Sequence, residues 1–127
     1  MKQPYLSILF VLFLLPFVAV ADPIDKVAGL IKQANTHGLA EMFAPNIEIT
    51  ILTDENVYSK AQAEQVLDRF FMQNKPKSVQ ILHRVNSNQN YRFGVLILTT
   101  DKGTYRVAFT LKDDALIALR IETEKVK

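Results

Sequence analysis

From Ser78 to Glu124 the chain runs through four apolar-rich stretches separated only by short polar turns, and this pattern limits the fold more than any other feature. "SVQILHRV" alternates apolar and polar residues, "NSNQN" is a loop, and "YRFGVLILTT" alternates at its start. "DKG" is a turn ending in a glycine suited to a bulge, "TYRVAFTLK" follows, Asp113-Asp114 turns the chain again, and "ALIALRIETE" closes the series. Alternation with period two sends successive side chains to opposite faces of a strand. Three hairpin connections between four strands make an antiparallel meander. One face of such a sheet needs cover, and the residues before Ser78 must supply it.

They read mainly as helices. "DPIDKVAGLIKQANTHG" opens with Asp22 as N-cap, Pro23 at the first helical position and Asp25 in the first turn. Ile24, Val27, Ala28, Ile31 and Ala34 recur at helical spacing, and Gly38 is expected to end the helix. "LAEMFAP", Leu39 to Pro45, reads as a short second helix stopped by Pro45. In "NIEITIL" the residues Ile47, Ile49 and Ile51 take one face and Glu48 and Thr50 the other, the pattern of a half-buried strand. "TDEN" turns the chain and "VYS" returns as a short strand. Ser59 with Gln62 forms a capping box that starts a helix at Lys60. Ala63, Val66, Leu67, Phe70 and Phe71 make its buried stripe, Glu64, Gln65, Asp68 and Arg69 face water, and Asn74-Lys75-Pro76 stops it. Helices followed by a long meander define a single α+β domain with the helices on one face of a curved sheet.

The amino-terminus points to export. Lys2 precedes an uncharged run from Tyr5 to Val20, Pro16 breaks it, and the small residues Ala19 and Ala21 stand where a signal peptidase reads. The dense apolar part, Leu6 to Leu15, is shorter than the ~20 residues of a membrane span, so residues 1–21 read as a cleaved signal peptide rather than an anchor. Residues 22–127 then form the mature domain, periplasmic or secreted, with no stable membrane anchor. Removing Lys2 from the 15 basic residues leaves 14 against 13 acids, a net charge of +1. So small an excess gives no pull toward nucleic acid. The chain has no cysteine, which excludes disulfides, a thiol nucleophile and a cysteine-linked lipid anchor.

Several stretches carry a resemblance. "GLAEMFAPNIEITI" looks like the helix-to-strand entry of the nuclear transport factor 2-like (cystatin-like) α+β cone superfamily. "FAPNIE", "VYSKAQAEQVLDRFF", "KPKSVQILH", "GTYRVAF" and "LRIE" resemble a family of short exported bacterial proteins known only as a domain of unknown function. The resemblance spans roughly residues 22–124 and implies N-terminal helices packed on a curved antiparallel sheet, a cone wrapped around the first and third helices. It implies no functional residues. The wider superfamily includes isomerases and dehydratases with an acid or a His–Asp pair inside the cone, so catalysis is a hypothesis to test.

The residues themselves offer three sites. Catalysis needs an inward histidine or carboxylate poised near neutral pH. His83 shares strand parity with Val79, Ile81 and Val85 and is expected on the apolar side, but the pattern places no carboxylate beside it. His37 falls in the turn between the first two helices. A ligand pocket in the cone would set the polar tips of Tyr58, His83, Tyr91 and Tyr105 among Phe71, Phe93 and Phe109 and take a small apolar molecule. The competing reading is that these side chains fill the core of a small domain. The third site is an outer sheet face. Arg84, Arg92, Arg106 and Arg120, four of the five arginines, are expected to share it with Leu96, Leu98 and Ala108. A hairpin centred on Asn88 would set Arg84 opposite Arg92, with Glu122 one candidate to compensate these charges. Such a face suits a protein interface, and a solvated face with cross-strand Arg–Glu pairs is its competitor.

Nothing in the sequence calls for a cofactor or a metal: it has no glycine-rich phosphate loop, no G-x-S-x-G motif, and only two histidines, far apart. The expectation is a non-enzymatic exported domain acting through its sheet face, as a homodimer or with an envelope protein partner. Small-molecule binding in the cone stands second and catalysis by His83 third.

Overall fold

A computed structural model describes residues 22–87 and 90–124. The expected signal peptide (1–21) and the hairpin centre at Asn88 lie outside the described residues. Within them the order is α1 (Pro23–Lys32), α2 (Thr36–Glu41), β1 (Phe43–Ile51), β2 (Asp54–Ser59), α3 (Lys60–Gln73), β3 (Pro76–Asn86), β4 (Tyr91–Thr100), β5 (Thr104–Lys112) and β6 (Ala115–Thr123). The strands form one sheet in the order β2-β1-β6-β5-β4-β3. β3 to β6 are the meander read from the sequence, and β1 joins its far side in parallel with β6, the other pairings being antiparallel. Register shifts interrupt β1/β6, β3/β4 and β5/β6, and such bulges bend and twist a sheet.

Local chemistry sets the helix ends. Asp22 caps α1 by accepting from the Ile24 N–H at 2.8 Å, and Pro23 occupies the first turn. α1 stops at Lys32, earlier than expected, and Ala34 turns the chain at φ 55°. Gly38 does not end this helix; it lies inside α2, where its N–H donates to the cap Asn35 at 2.9 Å. A strong cap at Asn35 thus outcompetes the glycine as the punctuation point. α2 ends at Glu41 rather than at Pro45, which sits within β1. The capping box is present: the Gln62 N–H donates to Ser59 Oγ at 3.4 Å and the Ser59 N–H to Gln62 Oε1 at 3.2 Å.

All three described helices lie against the same face of the sheet. α1 lies over β3 and β4, α3 over β1 and β2, and α2 touches both helices. Ile24, Val27 and Ile31 of α1 and Ala63, Leu67, Phe70 and Phe71 of α3 are buried against Ile47, Ile49, Leu96, Leu98, Val107, Phe109, Leu111, Leu119 and Ile121. The stripe expected on α3 is the one observed, with Val66 half-buried at its margin. Polar clamps close the ends of this layer. Arg84 Nη2 donates to Asp25 Oδ1 at 2.5 Å, tying the edge strand β3 to α1. Tyr105 Oη donates to Asn74 Oδ1 at 2.8 Å, fixing β5 to the end of α3.

Two strand parities differ from the expectation. In β4 the buried residues are Leu96 and Leu98, while Phe93, Val95 and Ile97 face away from the helices. Both parities of β4 are apolar, so alternation gives no direction there. Pairing with β5 supplies it, because Gly94, Leu96 and Leu98 stand opposite Phe109, Val107 and Tyr105. In β3 a bulge lies between Ile81, opposite Leu96, and His83, opposite Val95. One extra residue inverts the parity, sending His83 and Val85 to the helix-free face and Arg84 to the helix side. Arg84 stands opposite Gly94 and Arg92 opposite Asn86, so the two arginines do not oppose each other.

Candidate functional site: the helix-free face of the sheet

The face that no described helix covers is built from three rows that cross the strands. The first is Val57, Glu48, Ala118, Thr110, Phe93 and Val85. The second is Glu55, Thr50, Arg120, Ala108, Val95 and His83. The third is Glu122, Arg106, Ile97 and Gln80. Alanines at the centre and longer side chains on either side leave a trough of about 290 Å³. Its lining includes Glu48, Thr50, Glu55, Phe93, Val95, Ala108, Thr110, Ala118 and Arg120. The face is chemically polarised, with acids at the β1–β2 margin and apolar residues with His83 at the β3–β4 margin. Phe93 remains 42% exposed, Val85 50% and Val57 67%.

The acidic margin holds an unusual pair. A hydrogen bond with Glu55, the repulsion of its charge and partial desolvation hold the Glu48 carboxyl above the usual carboxylate range, while Arg120 pulls the other way. Arg120 lies 3.9 Å from Glu55 and 2.9 Å from Glu122, and so serves both margins of its strand. Arg106 Nε donates to Glu124 Oε1 at 3.1 Å. Glu48 and Glu55 were not picked out from the sequence. β2 begins at Asp54, closer to β1 than "TDEN" read as a turn suggests, and only that tight connection brings Glu55 opposite Thr50. Leu52 makes the turn at φ 59°, and leucine is no turn signal.

Residues 24–123 match the family model described as a domain of unknown function, DUF4783. The chain belongs to the DUF4783 family. A DUF4783 protein from Bacteroides uniformis superposes with a TM-score of 0.74 at 22% identity, over 79% of this chain and 95% of that one. One from Bacteroides ovatus gives 0.74 at 19% identity, over 79% and 94%. An NTF-2-like protein of unknown function from Burkholderia xenovorans gives 0.60 at 4% identity, over 83% and 87%. The DUF4783 fold here is therefore nuclear transport factor 2-like, as the resemblance implied. No curated protein matches the chain.

In this DUF4783 domain the expected pocket residues do not form one pocket. Phe71, Phe109, Tyr58 and Tyr105 lie in or against the core on the helix side. His83, Tyr91 and Phe93 lie on the opposite face, where the Lys112 ammonium sits 5.6 Å from the Tyr91 ring centre. The sheet itself separates the two groups. The expected arginine cluster is also divided. Arg106 and Arg120 lie on the helix-free face, whereas Arg84 pairs with Asp25 and Arg92 with Asp114 at the other side. Leu96 and Leu98 leave the expected outer face for the core, and Ala108 stays on it. Each of these four arginines has an acidic partner within the chain; Glu122, expected as a candidate to compensate Arg84 and Arg92, pairs instead with Arg120 on its own strand. They therefore do not mark a site for an anion. His37, expected in a turn, lies in α2 with its Nδ1 3.4 Å from Glu64 and is well exposed. Among the described residues no group of three or more histidines or acids is placed to hold a metal ion, and no helix is long and apolar enough to cross a membrane.

Proposed function

We propose that this domain is a non-enzymatic, exported module that works by pairing with a second copy of itself through the helix-free sheet face. The observation that carries the reading is the row from Val57 to Val85, with Phe93 42% and Val85 50% exposed on a face that no described helix covers. Strands about 4.8 Å apart make this face roughly 25 Å wide, and with three rows of side chains its area is of the order of the ~800 Å² per partner of a standard interface. Its charges of both signs suit a copy of itself better than a partner of one sign. The sheet edges are poorer candidates. β2 begins with Asp54 and Glu55, and β3 begins with Pro76 and Lys77 and is broken by bulges, the features that protect edges from pairing.

Absence of catalysis rests on placement. His83 and the Glu48–Glu55 pair stand at opposite margins of the sheet, so these three groups form no histidine–acid couple, and the His37–Glu64 contact lies on the helix layer with His37 well exposed. Export rests on the apolar run before Ala21 and the small residues that end it. Native mass spectrometry of residues 22–127 tests the association. A dimer that becomes a folded monomer on Phe93→Glu is expected. A wild-type monomer at high micromolar concentration overturns the reading. A monomer that retains a defined small mass would instead assign the trough to a small ligand.

A further inference from the structure

We infer that the trough on the helix-free face binds a small organic amine, its ammonium among Glu48, Glu55 and Thr50 and its apolar tail running over Ala118 and Ala108 toward Phe93. This site goes beyond the association reading and needs none of it. An occupant held within the trough leaves Val57, Val85 and the remainder of the face for a second copy.

The polar end of the trough is made by Glu48 and Thr50 of β1 and Glu55 of β2, with Arg120 of β6 beside them. Thr50 is only 7% exposed, yet its hydroxyl makes no hydrogen bond among the described residues, so the opening left to it is the trough. A hydroxyl carries two acceptor lone pairs, and holding them idle in a buried position costs free energy that an incoming donor recovers. Next to it the carboxyls of Glu48 and Glu55 hydrogen-bond to each other, which two ionised carboxylates cannot do. A proton stands there in place of a cation. Arg120 does not supply the missing charge, because it is shared between Glu122 at 2.9 Å and Glu55 at 3.9 Å. Arg106 on the neighbouring strand is taken by Glu124 at 3.1 Å. Glu48, Glu55 and Glu122 therefore face a single guanidinium.

The other end is apolar. Ala118 and Ala108 floor the centre, and Phe93 and Val95 of β4 form the far wall. β1 and β4 are three strand spacings apart, about 14 Å, and side chains leaning in from both ends shorten that span. A volume of about 290 Å³ stands at the lower bound of small-ligand sites. The fitting occupant is therefore small, cationic at one end and apolar at the other. A primary ammonium donates three hydrogen bonds, one each for Glu48, Glu55 and Thr50. A metal ion suits the trough less well. Calcium takes roughly six to eight oxygens, and among the described residues no group of acids and histidines is placed to hold one. An anion would meet the two glutamates and be repelled.

The probe is n-pentylamine, titrated into residues 22–127 and followed by amide NMR. Shifts at Glu48, Thr50 and Ala118 are expected, with a dissociation constant of about 1 mM or tighter, the scale of a ligand with so few atoms. n-Pentanol has the same tail without the charge and is expected to bind about tenfold more weakly. The double variant Glu48→Gln, Glu55→Gln should also lose about tenfold, and Thr50→Val about threefold. Both glutamates are exposed, so the double variant keeps its fold, which circular dichroism checks. Because the ammonium takes the place of the shared proton, binding near the raised Glu48 value should release a proton, read by calorimetry in two buffers of different ionisation heat. A merely apolar site would release none. Equal binding of pentanol and pentylamine, unchanged affinity in either variant, or no shifts at about 10 mM amine overturns the inference. The titration is run at protein concentrations on both sides of any association midpoint, which separates the two readings. A monomer that binds the amine removes the association alone, and a dimer and monomer that both ignore it remove the amine site alone.

Discussion

The two faces of this sheet are made from the same strands yet have opposite fates. On the helix-covered face Ile47, Leu96, Leu98, Val107 and Leu111 are fully buried. On the other face Phe93, Val85 and Val57 stay 42, 50 and 67% exposed. β4 carries both kinds in alternation, with Leu96 and Leu98 beneath the helices and Phe93 and Val95 on the bare side. The difference teaches that apolar residues here serve two purposes. One set holds the monomer together, and the other stays exposed, which is what the proposed association would use.

The largest effect that tests this contrast comes from two phenylalanines on neighbouring strands. Phe109→Ala is expected to cost about 3–5 kcal/mol of folding stability, because it leaves a cavity beneath Gly94 in the core. Phe93→Ala is expected to change monomer stability by less than about 1 kcal/mol while weakening the proposed dimer. Urea unfolding and sedimentation read both, and equal destabilisation by the two changes would abolish the distinction between the faces.

Next in size is Gly94→Ala. A Cβ at this position would run into the Phe109 ring, so overpacking of about 1–3 kcal/mol is expected. A neutral result in urea would mean that the ring is not held beneath the glycine. Smaller still is Ser59→Ala, which removes half of the capping box of α3. About 1 kcal/mol is expected from thermal or urea unfolding, and an unchanged midpoint would show the box idle.

The smallest effects are those of pH, and they have opposite sign on the two faces. Glu48, on the bare face, is raised by its hydrogen bond with Glu55. Its contribution to stability is full below the ordinary carboxylate range and is lost as pH rises through the raised value. Asp25, on the helix side, is lowered by its hydrogen bond with Arg84. Its contribution is full above the ordinary range and is lost as pH falls through the lowered value. Both groups are solvent-exposed, so salt should shrink either effect. Urea midpoints against pH, measured on the Phe93→Glu background to keep the chain monomeric, should flatten on the neutral side with Glu48→Gln and on the acid side with Asp25→Asn. Curves parallel to the parent in both variants would contradict the two assignments.

The elements were legible where one local interaction decided them. The Asp22 cap, the Ser59–Gln62 box and the stripe from Ala63 to Phe71 need only neighbours within a few residues, so the amino-acid sequence by itself determined α1, α3 and the order of the meander. The turn at Asp113-Asp114 belongs here too, since aspartate tolerates the left-handed conformation both residues adopt. The site was less legible, because facing in a sheet is a long-range property. β4 is apolar on both parities, and the bulge between Ile81 and His83 inverts β3 without any local mark. One-residue shifts of this kind moved His83 and Phe93 out of the expected pocket and Arg84 and Arg92 off the expected face. Pairing with β5 and β6, and cover by α1 and α3, decided which apolar residues went inside, and the tight pairing of β2 with β1 brought Glu55 near Glu48. Period-two alternation states only that neighbours point opposite ways; the contact that says which way is inward comes from residues far along the chain.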